Sequence, residues 1–156
     1  MTRPVPETHI RSAAERRADI EAKARQLGID DAFVDRLVET FYGRIREDAT
    51  LGPIFNNAIS DWDPHLATMK DFWASVAYNT GRYSGRPVPA HLKHKTIRKE
   101  HFAVWLGLFR EVLEEISPSP LTVAYFMERA ERIAQSLQLA MFGLPGLGEK
   151  SPAPRQ

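Results

Sequence analysis

Cysteine is absent from the 156-residue sequence, so disulfide bonds, thiolate metal sites and cysteine nucleophiles are all excluded. No apolar run is long enough to span a bilayer, and the N-terminus lacks the apolar stretch of a signal peptide. The net charge is close to zero, because 21 Lys and Arg residues are balanced by 20 Asp and Glu residues. These absences argue against nucleic-acid and membrane partners and predict a cytoplasmic protein.

Several catalytic motifs are also missing. The sequence has no His-Glu-x-x-His metalloprotease motif, no phosphate-binding loop, no Gly-x-Gly-x-x-Gly dinucleotide motif and no Gly-x-Ser-x-Gly nucleophile motif. The Glu-x-x-His pairs of di-iron carboxylate proteins are not found on the apolar helix faces. No catalytic residue is therefore assigned from motifs alone.

The sequence does have apolar residues at helical spacing over most of its length, and no strand-like alternation. This pattern predicts an all-α protein with helices at about residues 8–26, 31–47, 63–78, 99–116 and 120–142, and a short helix over 89–95. The segment 51–57 is predicted to be a turn-rich connection, because Gly52 and Pro53 are adjacent in it. The first helix has a thin apolar face, which predicts either loose packing on the domain or a helix free in solution.

The same pattern divides the chain into an N-terminal helical extension (1–28), one helical domain (29–143) and a disordered tail (144–156). Gly28 is expected to end the first helix, since glycine readily adopts the left-handed cap conformation. The last helix is predicted to face inward through Leu121, Ala130, Ile133, Ala134, Leu137 and Met141.

Two of the five histidines lie in settings that suit a metal-bound cofactor. A lone histidine is usually a surface or hydrogen-bonded residue. However, His65 lies on an aromatic-rich helix face, and His91 follows a loop stiffened by Pro87 and Pro89. One imidazole on each side of a flat apolar slot is how a histidine-ligated haem site is built. His91 is therefore the preferred iron ligand.

The other histidines are weaker candidates. His94 is flanked by two lysines, which is typical of a solvated edge, although it could face haem propionates. His101 begins an inner helix face and is interpreted as a packed or propionate-edge residue, with the ligand role as a minor alternative. His9 falls in the N-terminal extension and is predicted to be exposed.

Tyr42 and Trp105 lie on predicted inner helix faces, where aromatic residues usually form the core. A buried Tyr hydroxyl or Trp N–H nevertheless needs a hydrogen-bond partner. A gas ligand that carries partial negative charge would accept a hydrogen bond from either group. Both residues are therefore candidates for stabilising such a ligand.

An ordered set of short motifs resembles the truncated haemoglobins of group III. The matching stretches are Phe41–Asp48 (FYGRIRED), Leu51–Asn56 (LGPIFN), Asp61-Trp62 followed by His65, Phe72-Trp73, Gly81–Pro87 (GRYSGRP) followed by His91, and His101–Leu106 (HFAVWL). Each stretch is weak alone, but the ordered set is specific and covers roughly residues 30–142.

The resemblance implies a globin-like fold, a truncated two-over-two sandwich of antiparallel helices, around a b-type haem. It implies that His91 is the proximal iron ligand and that Tyr42, His65 and Trp105 stabilise a ligand on the distal side. The residues predicted to contact the cofactor are Phe41, Phe55, His65, Met69, His91, His94, Ile97, Phe102 and Trp105. Residues 1–28 extend beyond the family core, and their role stays open.

The implied function is binding of dioxygen, or of nitric oxide or carbon monoxide, at the haem iron, with oxygen transport as one use. The alternative is a haem enzyme, a nitric oxide dioxygenase or a peroxidase-like protein, which would need an external reductase because no reductase domain is present. A third interpretation, a helical interaction module without haem, is compatible with the same periodicities.

Overall fold

The computed structural model describes residues 12–78 and 97–143, and it places six α-helices in these two ranges. They are α1 (Ala13–Gln26), α2 (Asp31–Glu47), α3 (Leu51–Ala58), α4 (Trp62–Tyr78), α5 (Lys99–Ile116) and α6 (Pro120–Phe142). The described ranges contain no strand, and the predicted all-α class is confirmed. The predicted short helix over 89–95 and the predicted tail over 144–156 lie outside the described residues.

Both ends of α1 follow from local chemistry. Ser12 and Glu15 form a capping box with two reciprocal hydrogen bonds. The Glu15 backbone N–H donates to the Ser12 hydroxyl, and the Ser12 backbone N–H donates to the Glu15 carboxylate. The helix ends before Gly28, whose φ of 78° favours glycine, and a Cβ there would lie 2.8 Å from the side chain of Pro118. Helix α1 packs against α4 and buries Ala24, so it is not free in solution.

The segment 51–57 is the helix α3, and the prediction of a turn-rich connection is wrong there. The Asp48 carboxylate accepts hydrogen bonds from the backbone N–H groups of Thr50 and Leu51, at 2.9 and 2.8 Å, and so satisfies donors at the start of the helix. Pro53 falls in the first turn, where its missing N–H is not needed. The Gly-Pro pair therefore starts a helix instead of breaking one.

The core lies where α2 packs against α4 and α5, and α5 in turn packs against α6. Seven residues of α2 are buried on one side, as its spacing predicts. In α6 the prediction that Leu121 faces inward is wrong, because its side chain is 68% exposed. Thr122 and Phe126 are buried instead. The buried face at the start of the helix is therefore rotated about the helix axis from the predicted one.

Thr122 is a buried polar residue that ties two distant parts of the chain together. Its hydroxyl donates to the backbone carbonyl of Leu27 at 2.6 Å, and so links the end of α1 to the start of α6. A carbonyl that loses this donor in a partly buried position costs free energy.

We expect Thr122→Val to lower the free energy of unfolding by about 1–3 kcal/mol, because the shape is kept while the hydrogen bond to Leu27 is lost. Urea unfolding measures the difference. Thr68→Val is the matched control, since the exposed Thr68 hydroxyl bonds only to the Pro64 carbonyl of its own helix. Equal effects of the two substitutions would contradict this role for Thr122.

Candidate functional site

A cavity of about 320 Å³ lies between α2, α3, α4, α5 and α6, within the size range of small-molecule sites. Most of its wall is apolar, and the residues that line it are Tyr42, Leu51, Ile54, Phe55, Ala58, Ile59, His65, Met69, Phe72, Trp73, Ile97, His101, Phe102, Trp105, Ile133, Ala134 and Leu137. A few of these side chains can form hydrogen bonds within an otherwise apolar surface. This is the composition of a site for a largely apolar ligand held in one orientation.

Tyr42 is presented to the cavity by the inner face of α2, and its side chain is only 5% exposed. Burial raises the pKa of the Tyr42 hydroxyl well above its ordinary value, while a hydrogen bond with the Trp73 side chain acts in the opposite direction. The hydroxyl is therefore protonated at neutral pH and can donate a hydrogen bond.

His65 lies one turn into α4, beside Tyr42. Its ring meets the ring of Tyr42 edge-on, with centroids 5.7 Å apart, and meets Trp62 in the same way at 5.6 Å. The Nε2 atom of His65 is buried. The imidazole and the phenol therefore belong to the same part of the cavity wall.

Trp105 belongs to an aromatic stack that forms the wall contributed by α4 and α5. Its ring is parallel to that of Phe109, with an interplanar angle of 1° and centroids 5.6 Å apart, and it also stacks on Trp73 at 6.3 Å. Phe41 packs edge-on against Trp105 at 5.6 Å from the core side. The stack restricts the orientations open to the indole of Trp105.

His101 also lines the cavity, and its tautomer follows from a backbone contact. The N–H of Arg98 donates to Nδ1 of His101 at 2.9 Å, so this nitrogen carries a lone pair. The proton of the neutral ring is then on Nε2, which makes that nitrogen a donor. In this arrangement His101 suits a carboxylate partner and does not suit coordination of iron through Nε2.

Trp62 connects the ends of three helices next to His65, although it does not line the cavity itself. The guanidinium of Arg46 lies 4.6 Å from the centroid of the Trp62 ring, and the Trp62 indole donates to Oδ1 of Asn56 at 3.3 Å. Asn56 in turn donates to the carbonyl of Arg46 at 3.4 Å. These contacts join α2, α3 and the start of α4 at one edge of the site.

The structure brings together most of the residues predicted from the sequence. Those that line the cavity are Tyr42, Phe55, His65, Met69, Ile97, Phe102 and Trp105. Phe41 is fully buried behind the wall and does not line it. His91 and His94 lie outside the described residues.

Several cavity residues were not assigned to the site from the sequence. Ala58 and Ile59 were missed because the segment that forms α3 was predicted to be a loop. Ile133, Ala134 and Leu137 were missed because their helix, α6, was assigned only to the core. The last three recur at helical spacing on the predicted inner face, which was the available signal.

Two kinds of feature are absent from the part of the chain that the structure describes. No group of three His, Asp or Glu side chains in these ranges is arranged to hold a metal ion. None of the described helices is long and apolar enough to cross a membrane.

Comparison with known proteins gives a consistent result. A scan of protein-family models finds no match. The chain is 34% identical over 122 residues to the group 3 truncated hemoglobin ctb of Campylobacter jejuni, an alignment that covers 76% of this chain and 95% of that protein. It also superimposes on the crystal structure of group III truncated hemoglobin from Campylobacter jejuni with a TM-score of 0.68 and 35% sequence identity. The superposition covers 73% of this chain and 92% of that chain.

The similarity spans nearly the whole of the related protein and agrees in sequence and in fold. The predicted fold, a truncated two-over-two α-helical sandwich, is confirmed by this superposition. The chain therefore belongs to the group III truncated haemoglobins and is a haem-binding globin.

Proposed function

We propose that this globin reversibly binds a diatomic gas, with dioxygen as the first candidate, and that Tyr42 is the main hydrogen-bond donor to it. One observation carries the proposal: the hydroxyl of Tyr42 is buried and protonated at the wall of an apolar cavity. A buried donor in such surroundings is stabilised by an acceptor, and a gas with partial negative charge supplies one. Membership of the haemoglobin family sets aside the interpretation without haem.

The cavity suits a flat apolar cofactor, and we propose that this is haem b. Phe55, Met69 and Phe102 lie on three different helices of its wall and supply apolar contacts. The donor character of Nε2 supports the proposal that His101 is a partner for a propionate, with His94 as a second candidate. If bound, haem b would supply an iron atom able to bind a histidine of the protein and a diatomic gas.

We propose that His91 would bind the haem iron, as the family resemblance implies. Two of the described histidines are less suited to this role. His65 shares its part of the wall with Tyr42, the proposed gas-binding side, and Nδ1 of His101 is engaged by the backbone of Arg98. His91 itself lies outside the described residues, so its role is tested by substitution.

We expect His91→Gly to change the absorption spectrum of the ferric protein, because the iron loses its axial nitrogen, and added imidazole to restore the original spectrum. His94→Gly is the matched control, since it makes the same substitution three residues away. An unchanged spectrum in His91→Gly, or a loss of the spectrum in His94→Gly alone, would assign the ligand elsewhere.

We expect Tyr42→Phe to release dioxygen roughly 10- to 100-fold faster, because it removes one hydrogen bond to an acceptor with partial negative charge. The rate is measured by stopped-flow replacement of dioxygen with carbon monoxide. Tyr125→Phe is the control: the Tyr125 hydroxyl donates to the Ala77 carbonyl at 2.5 Å in the core, and Tyr125 does not line the cavity. Equal release rates in the wild type and Tyr42→Phe would rule out the donor role.

A second candidate function is a haem enzyme that consumes nitric oxide or peroxide. The supporting observation is that three donor side chains, Tyr42, His65 and Trp105, line one cavity, which favours retention of a ligand over rapid release. Imidazole is also suited to proton transfer near neutral pH. Such an enzyme would need an external reductase.

Nitric oxide consumption by the dioxygen-loaded protein separates the two functions. With a reductant present, repeated turnover identifies an enzyme, whereas a single stoichiometric event identifies a carrier. Cytoplasmic location and the absence of nucleic-acid partners stay predictions from composition.

A further inference from the structure

The rings of Trp62, His65 and Tyr42 form a close triangle. The imidazole of His65 meets Trp62 edge-on, with centroids 5.6 Å apart and an interplanar angle of 90°, and meets Tyr42 at 5.7 Å and 85°. The rings of Trp62 and Tyr42 are themselves 6.2 Å apart. His65 and Tyr42 line the cavity, whereas Trp62 does not. Trp62 therefore contacts the wall from outside the cavity, at the place where the imidazole and the phenol meet.

The indole of Trp62 is fixed by contacts to both its polar atom and its ring. Its N–H donates to Oδ1 of Asn56 on α3 at 3.3 Å, and the guanidinium of Arg46 on α2 lies 4.6 Å from the ring centroid. Asn56 also donates to the Arg46 carbonyl at 3.4 Å, which closes the set of contacts. The orientation of this indole, at the start of α4, is therefore set by two other helices.

Helix α3, which carries Asn56, is itself packed closely on the end of α2. A Cβ at Gly52 would lie 2.8 Å from the carbonyl oxygen of Arg46, so this approach requires glycine. The N–H of Gly52 donates to the Asp48 carbonyl at 2.8 Å, and the neighbouring Leu51 is buried. The distance between Asn56 and Arg46 is therefore fixed by the packing of the two helices, and so is the position of the indole that both contact.

His65 lies where its side chain has an alternative orientation. It belongs to the first turn of α4 and is partly exposed, although its Nε2 atom is buried. Rotation about the Cα–Cβ bond can turn such an imidazole toward water, which hydrates a polar ring better than an apolar wall does. Trp62, three residues earlier, is its neighbour on the same helix face. An edge-on ring contact with a fixed indole favours the inward orientation, because turning the imidazole disrupts that contact.

We infer that Trp62 is a positioning residue, which holds the imidazole of His65 against Tyr42 in the wall of the cavity. The aromatic ring of Trp62 is the group that acts on His65, and Arg46 and Asn56 hold that ring in place. The consequence for the gas rests on the proposed function, because His65 is one of the donors counted there. The arrangement of the three rings does not depend on it.

NMR of the full-length protein in its diamagnetic carbon monoxide form measures the position of His65. The edge-on contact should give a nuclear Overhauser effect between the ring protons of His65 and Tyr42, and His65→Leu identifies the His65 signals by their loss. We expect Trp62→Leu to weaken this effect strongly, because the imidazole loses the ring that holds it, and Trp62→Phe to keep most of it. An undiminished effect in Trp62→Leu would overturn the inference, and so would equal losses in the two variants.

Asn56→Ala tests the same point without altering Trp62, and so keeps the inference testable if the Trp62 variants do not fold. Asn56 is exposed, and its loss frees the indole N–H of Trp62. We expect a partial weakening of the effect between His65 and Tyr42. Asn57→Ala is the matched control, since it makes the same change at the next exposed position of α3. Equal weakening in both variants would mean that α3 as a whole, and not the contact with Trp62, is responsible, which contradicts the inference.

Dioxygen release connects the position of His65 to the gas. It is measured by carbon monoxide replacement in the wild type, Trp62→Leu, His65→Leu and the double variant. We expect Trp62→Leu to release dioxygen about 2- to 10-fold faster when His65 is present, which is the range of one neutral hydrogen bond, and to have no effect in the His65→Leu background. Equal acceleration in both backgrounds would show that Trp62 acts through helix packing alone, and the positioning role would be lost.

The inference and the proposed function fail separately. If Trp62→Leu leaves the effect between His65 and Tyr42 intact, Trp62 has no positioning role, and the proposed function is untouched. If Trp62→Leu removes that effect without changing dioxygen release, the positioning role stands and His65 is not a donor to the gas. If Tyr42→Phe leaves release unchanged, the proposed function fails, while NMR still reports whether Trp62 holds His65.

Discussion

Aromatic packing at the junction of α2, α4 and α5 is the constraint on which the core and the cavity both depend. Phe41, Trp73 and Phe109 are essentially inaccessible to solvent, and Phe109 lies within 5 Å of each of the other two rings. One side of this cluster is the centre of the domain, and the other side, through Trp73 and Trp105, is the wall of the cavity. Since protein interiors are close-packed, the position of the wall follows from the packing of the core.

Tyr42, Trp105 and His101 each present a hydrogen-bond donor in apolar surroundings. Burial keeps Tyr42 protonated, the indole of Trp105 can only donate, and the contact of His101 with the backbone of Arg98 leaves its proton on Nε2. Such a site favours a ligand that brings acceptor atoms and a large apolar surface. This is the physical link between the composition of the wall and the proposed binding of haem and a gas.

Particular elements show how far the sequence predicts the fold. Helix α2 has the predicted bounds, because Asp30 caps its start and a continuous apolar stripe identifies its buried face. Helix α3 was missed, because Gly52 and Pro53 signal a turn unless Asp48 supplies the hydrogen bonds that start a helix. The inward assignment of Leu121 failed because, at the end of a helix, one turn contains too few residues to define a face.

By itself, the sequence determined the helical class, most helix bounds, and an ordered set of motifs that identifies the family. These depend on local periodicity and on residue order, which can be read along one chain. Only the tertiary structure decided that Ile133 and Leu137 share a wall with Tyr42, and that Phe41 stands behind that wall. Such relations depend on how helices distant in sequence pack against one another, and the packing is set by the whole core rather than by any one segment.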